Sequence, residues 1–318
     1  MLGGGDFVGR AVVEEALAAG HDVTTLSRSG TRDGVDARHG DRRTDGLAAL
    51  GDDRWDTFVD TWSWEPRVVT ESAARLAARA DRYVYISTQS VYAYPRPALA
   101  DETAPTVDAD PEEDVFHDYA RTKRGAELGV LAGFGDRSVL VRPGLILGPH
   151  ENIGRLPWWL GRLARGGEIV APGPADGTFQ YVDARDLARF ALADIEPGAY
   201  NVTNPAGATT MGELLQRGLE ATASGGTLRW VVPETLLAAG VEPWTNLPIW
   251  IPEGEGHETM HEGGTAAAFA AGLSIRPLRE TVDDTWAWLR SIGGVAPQRR
   301  DRPSLGLDPE LESQILRA

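Results

Sequence analysis

Tyr119-Ala-Arg-Thr-Lys123 places a phenol and an ammonium four residues apart. On a helix this spacing puts both side chains on one face, about one turn apart. An ammonium at that distance stabilises a tyrosinate and draws the phenol pKa toward neutrality, which makes Tyr119 a candidate proton donor or acceptor. Lysine suits the task better than arginine, because a compact point charge reaches under the ring where a wide planar fork does not. Lys123 is the single lysine among 31 basic residues. With 7 tyrosines in 318 residues, a lone lysine falls four after one of them by chance about 2% of the time. The plainer reading is an exposed helical pair.

A second constellation stands at the start of the chain. Gly3-Gly-Gly-Asp-Phe-Val-Gly9 precedes a stretch in which Ala11, Val12, Ala16 and Leu17 recur at helical spacing, with Gly20 at the expected helix end. The run Asp22 to Ser27 then reads as a strand. Strand end, glycine turn, helix and strand is the order of a dinucleotide-binding unit. The glycines let the backbone approach a pyrophosphate seated on the free N–H groups of the helix. Gly3, Gly4, Asp6, Phe7, Val8 and Gly9 are therefore candidate cofactor-binding residues. The Asp6 carboxylate would repel a diphosphate unless it turns away. Only two residues precede the turn, so the central strand is expected to be short or to begin upstream of Met1.

Ser27-Arg28-Ser29 stands where an NAD enzyme commonly has an acidic residue for the adenosine ribose. Arg28 suits a 2′-phosphate through charge-assisted hydrogen bonds, which favours NADP(H), with NAD(H) as the alternative cofactor. A solvated loop arginine is the plainer reading of Arg28.

The elements that must position these residues are short apolar strands at Thr57–Asp60, Tyr83–Ser87 and Ser138–Arg142, with a helix expected over 73–80. The alternation predicts an α/β fold, a Rossmann-like doubly wound parallel sheet with a smaller C-terminal substrate-binding region. The dinucleotide-binding domain is expected over 1–146, with its sheet completed by about 179–203. The substrate-binding region is expected over 147–178 and 204–295, where the texture turns to Trp, Pro and Gly. The tail, 296–318, carries a short helix from Asp308-Pro309, a good N-cap and N1 pair. Trp158 and Trp159 are candidates to line an apolar or ring-shaped substrate pocket, with core filling the alternative.

Five motifs occur in order: GGGDFVG, YVYISTQSVYA (83–93), YARTK, VRPGLILGP (141–149) and FQYVDARDLA (179–188). In that order, over about Met1 to Arg290, the chain resembles the short-chain dehydrogenase/reductase superfamily, in the extended and atypical branch often labelled NAD-dependent epimerase/dehydratase. An atypical subgroup carries G-G-x-x-x-x-G, which Gly3, Gly4 and Gly9 fit. The resemblance implies that Thr88 hydrogen-bonds the substrate carbonyl, with Ser87 and Ser90 flanking it, and that Tyr119 protonates the developing alkoxide. It further implies that Lys123 binds the nicotinamide ribose, that Pro143 and Gly144 border the nicotinamide, and that Asp41 contacts the adenine. Ser90 and Tyr92 would face the substrate. The family's additional asparagine has no match near Asp60-Thr61-Trp62.

Other features narrow the field. The absence of cysteine excludes disulfides, thiolate metal sites and a cysteine nucleophile. A net charge of −16 disfavours a nucleic-acid partner. No apolar run approaches the roughly 18 residues of a membrane span, so a cytoplasmic protein, monomer or homodimer, with no membrane partner is expected. His257-Glu-Thr-Met-His261 matches a zinc-protease string, but four neighbouring glycines predict a surface loop and no metal site. Asp101 to Asp114, with seven carboxylates in fourteen residues, reads as a solvated loop. The expected function is an NADPH-dependent reductase that transfers hydride to a carbonyl or imine of a small molecule. The alternatives are a nucleotide-sugar epimerase or dehydratase with retained NAD(P), and a non-catalytic cofactor-binding regulator.

Overall fold

The central sheet is parallel throughout. Strand Asp36–His39 pairs with Thr24–Ser27, and Trp55–Asp60 pairs with Ala80–Ile86, which pairs with Ser138–Pro143 and that in turn with Gly198–Val202. Leu2 joins the two halves, bridging Leu26 on one side and Asp60 on the other. The order, counting Leu2 as the first strand, is thus 3-2-1-4-5-6 with a seventh strand at the far edge, the doubly wound arrangement whose crevice holds a ligand where the winding reverses. Leu2 pairs through bonds such as Leu2 N to Val59 O (2.8 Å) and Gly3 N to Leu26 O (3.0 Å). This computed structural model describes residues 1–28, 33–299 and 303–318, so Ser29 lies outside the described residues.

Helix Phe7–Ala18 buries Ala11, Val12 and Ala16 against helix Ala184–Leu192 and ends as Gly20 takes φ +83°. The helix expected over 73–80 instead spans Pro66–Leu76, because Pro66 fits the first turn and Ala80 already begins a strand. It packs against helix Tyr119–Phe134. A Cβ on Gly129 of that helix would lie 2.1 Å from Thr70 Oγ1. The glycine thus sets the close approach of the two helices and, with it, the height of Tyr119 and Lys123 above the sheet.

Two clusters fill the faces of the sheet, one around Val84, Val139 and Leu187 and one around Leu50, Leu76, Tyr83 and Phe134. A third gathers Trp159, Leu160, Ile169, Phe179, Leu214 and Trp250 in the second half of the chain. Two further parallel pairs serve it, Leu145–Leu147 with Tyr181–Asp183 and Glu168–Pro172 with Thr227–Val231. The tail closes with helix Pro309–Arg317, whose Asp308 cap accepts from the N–H groups of Glu310 and Leu311. Among the described residues no helix is long and apolar enough to cross a membrane.

Candidate functional site

A cavity of about 880 Å³ opens at the carboxyl ends of the central strands, within the roughly 300–1,000 Å³ usual for small-molecule sites. Gly3, Gly5, Asp6, Phe7, Val8 and Gly9 line it, so the first turn of helix Phe7–Ala18 faces the space. The early N–H groups of a helix have no intrahelical partner and favour an anion. Asp6, the N-cap, makes no side-chain capping bond, so it leaves those donors untouched. A Cβ on Gly9 would stand 2.1 Å from Gly3 O. The turn therefore presses on the helix in a way only glycine permits, which fits the cradle of a dinucleotide pyrophosphate. Gly4 sits behind the turn, where a Cβ would meet Val13 and Thr25 side chains at 3.0 and 3.1 Å; its part is packing rather than contact with the cavity.

Ser27, the exposed Arg28, Gly40 and Arg42 extend the wall past the strand ends. Arg42 itself is buried and grips Asp60 through Nη1–Oδ1 (2.7 Å) and Nη2–Oδ2 (2.8 Å), while Tyr83 donates to the same carboxylate at 2.6 Å. Burial alone would raise the Asp60 pKa; the Arg42 guanidinium reverses that and holds it below its ordinary value. Asp41 does not reach the cavity, since its carboxylate accepts from Arg43 N–H (3.0 Å) and closes the local turn.

Thr88, Ser90, Tyr119 and Gly144 line the same cavity. Thr88 caps a short 3-10 turn: its Oγ1 accepts from Ser90 N–H (3.1 Å) and donates to Ser90 Oγ (3.2 Å). Tyr119 opens its helix, with Asp118 as the N-cap accepting from Arg121 N–H at 2.9 Å. Lys123, one turn on, is placed differently from the expectation that it meets a ribose. It is 2% exposed and does not line the cavity. Its three donors go to Trp62 O (2.7 Å), Ile86 O (2.6 Å) and Tyr85 Oη (3.1 Å). Burial pushes its pKa down to about 7, against the pull of Asp60 and Glu127.

Other expected residues lie outside the cavity wall. Pro143 is a buried end of its strand, paired with Val202. Tyr92 is buried, donating to Asn201 Oδ1 (2.7 Å) and accepting from Arg142 (3.0 Å), so it braces the core rather than facing a substrate. Trp159 is fully buried with its indole donating to Pro248 O (2.7 Å), and Trp158 packs edge-on against it and over Gly306. Both fill the third cluster. The His257–His261 segment is helical (Glu255–His261) and its two imidazoles are buried, contrary to a surface loop. Their nitrogens are occupied: His257 Nε2 meets Thr178 O (2.8 Å), while His261 lies between Gln180 N–H (3.3 Å) and Ile249 O (3.1 Å). No metal-holding group occurs among the described residues.

Several wall residues escaped the sequence reading, notably Trp62, Trp64, Gln89, Trp244 and Thr259. Gln89, set between Thr88 and Ser90 in the motif, could have been found from its neighbours. Thr259 lies in the second half of the chain, inside the His257–His261 string, and shares no spacing with the motifs that line the cavity. Glu151, buried and pushed up to about 7 by that burial, accepts from the N–H groups of Arg155 (2.6 Å) and Leu156 (3.2 Å) and so fixes the helix start that carries Arg155.

Comparison with known proteins agrees with this architecture. The NAD dependent epimerase/dehydratase family matches residues 45–203, half of the chain. A dTDP-4-dehydro-6-deoxy-D-allose reductase from Streptomyces sp is 31% identical over 137 residues, which cover 38% of this chain and 42% of that protein. Among solved structures, UDP-N-acetylglucosamine 4-epimerase from Bacillus cereus superposes with a TM-score of 0.69 at 15% identity, covering 94% of this chain and 98% of that one. The Bordetella bronchiseptica enzyme WbmG in complex with NAD and UDP gives 0.65 at 18% identity, covering 92% and 95%. These likenesses in structure concern the fold. With the family match over half its length, the glycine turn and the doubly wound sheet, the chain belongs to the NAD-dependent epimerase/dehydratase family.

Proposed function

We propose that the protein is an NADPH-dependent reductase acting on a carbonyl or imine carbon of a small molecule. The observation that carries the reading is a shared wall: the glycine turn and Arg28 line the same cavity as Thr88, Ser90 and Tyr119. A bound nicotinamide supplies the hydride. The first turn of helix Phe7–Ala18 holds the pyrophosphate, and Arg28 meets a 2′-phosphate. Thr88 orients the substrate oxygen, and Tyr119 gives its phenolic proton to that oxygen as negative charge develops. Lys123 acts from behind, fixing the strand end and the Trp62 loop around the Tyr119 helix. We further propose that residues 147–178 and 204–295 cover the substrate, since Arg155, Trp244 and Thr259 reach the cavity from there.

Retained NAD(P) and a nucleotide-sugar substrate form the second reading; the dTDP-sugar reductase relative supports its substrate class. One experiment separates them: the protein is incubated with NADPH and candidate carbonyl compounds, and the nicotinamide is followed by absorbance. A reductase consumes NADPH in proportion to product. An epimerase converts substrate with no net change in NADPH, and that result would replace the first reading. NADH binding tighter than NADPH would sink the cofactor assignment.

A further inference from the structure

The loop after strand Trp55–Asp60 carries two tryptophans, Trp62 and Trp64, and both line the cavity. Their surroundings differ. Trp62 is pinned: its backbone N–H donates to Asp60 Oδ1 (2.9 Å), its indole donates to Glu65 O (3.1 Å), and the guanidinium groups of Arg42 and Arg43 lie 5.2 and 5.0 Å from its ring. Arg42 belongs to the wall with Gly40 and Arg28, so Trp62 serves the side of the glycine turn. Trp64 packs on another neighbour. Its ring meets that of Phe116 at a centroid distance of 5.3 Å and a tilt of 60°, and Phe116 lies three residues before Tyr119. The loop thus sends one indole toward the arginines and the other toward the segment that leads into the proposed acid.

Both rings of the second pair are accessible. Trp64 is half-buried and lines the cavity, while Phe116 stands at the rim with 39% of its surface exposed and Val115 beside it at 46%. Single exposed apolar side chains are ordinary, but a contiguous apolar patch at a cavity marks a binding surface. In a tilted pair each ring keeps a face for a further partner. The pair offers one polar group, the Trp64 indole N–H. Ile146, Ile153, Trp244 and Met260 add apolar surface to the same wall, and the one carboxylate among the described wall residues, Asp6, belongs to the glycine turn. A hydroxyl-rich ring laid on Trp64 would exchange water for a single donor, whereas an aryl ring loses no hydrogen bond and gains a stacking partner.

We propose that Trp64 is a specificity-determining residue: its indole stacks on an aryl group of the substrate, and Phe116 holds the indole in place from the rim. The substrate is then an aryl-bearing carbonyl compound, its ring on Trp64 and its carbonyl at Thr88 and Tyr119. The nature of the reacting group rests on the reductase reading, whereas the aryl site does not. Phe116 acts through Trp64 and is a positioning residue.

The test uses the full chain and matched alcohols, benzyl alcohol beside cyclohexylmethanol and 2-naphthylmethanol beside its decahydro counterpart. Binding is measured by calorimetry with NADPH present; an alcohol accepts no hydride, so nothing turns over. Each aryl member is expected to bind about threefold to tenfold more tightly than its saturated partner, the worth of one ring–ring pair. Trp64→Leu is expected to abolish that ratio, Trp64→Phe to restore part of it and Phe116→Ala to narrow it, with NADPH affinity within twofold of wild type in all three. Equal binding of aryl and saturated members, binding of neither, or a ratio that survives Trp64→Leu or ignores Phe116→Ala would overturn the proposal. So would a loss of NADPH affinity in Trp64→Leu, which would place the indole against the cofactor. An intact binding ratio with no NADPH consumed on the corresponding aldehydes would instead remove the reductase reading and leave the aryl site standing.

Discussion

The Lys123 ammonium donates to the Trp62 carbonyl at 2.7 Å, so the helix that begins with Tyr119 is tied by its own lysine to a loop of the cavity wall. The same nitrogen reaches Ile86 O at 2.6 Å, at the end of the strand that leads to Thr88. Lys123 is a three-way clamp before it is anything else. Lys123→Met leaves the Ile86 carbonyl short of this donor, at about 1–3 kcal/mol, and is expected to lower Tm, while Trp62 O keeps the Tyr85 hydroxyl at 2.8 Å. Lys123→Arg should lower it too, because a planar fork cannot meet three acceptors arranged around a point. Thermal unfolding of both variants decides.

Tyr119→Phe removes the proposed proton donor and keeps the ring. Turnover of any accepted carbonyl substrate is expected to fall about 10²–10⁴-fold, with NADPH affinity and Tm kept near wild type. Turnover within twofold of wild type would remove Tyr119 from the chemistry.

Arg28 is exposed at the cavity wall. Arg28→Ala is expected to weaken NADPH binding about 10–100-fold, the worth of a charge-assisted contact, while NADH binding stays unchanged. Fluorescence titration with both cofactors provides the comparison. Equal losses for the two would point to a general effect on the site.

His261 makes stability depend on pH. Burial, with His257 adding to it, pushes its pKa from 6.5 down to about 3. The folded state therefore binds fewer protons than the unfolded chain between about 3 and 6.5. The stability owed to a neutral His261 is complete above 6.5 and is lost as pH falls through that window, at up to about 1.4 kcal/mol per pH unit. The neutral ring donates from Nε2 to Ile249 O and accepts at Nδ1 from Gln180. Tm measured from pH 7 to pH 4.5 should drop less steeply in His261→Gln than in wild type.

Local grammar made much of the fold legible. The glycine turn, the helix ending at Gly20 and the strands around Phe58, Val84 and Leu140 all announce themselves through spacing and apolar runs. Long-range partnership was not legible. Whether Trp158 and Trp159 face a ligand or a core depends on Pro248 and Gly306, far along the chain. Whether His257 and His261 are free for a metal depends on carbonyls at 178 and 249. Lys123 shows both sides: its position relative to Tyr119 is local, but the acceptors that claim its ammonium come from residues 62, 85 and 86.

Trp62, Trp64 and Trp244 stand at the wall of the cavity, while Trp159 is sealed in the core. The molecule thus carries its own optical reporter. Indole emission from the three wall residues overlaps the absorption of a reduced nicotinamide, so cofactor arrival should quench it by energy transfer and sensitise nicotinamide emission. Trp62→Phe should dim that signal without removing it. Occupancy can therefore be read before any substrate is in hand.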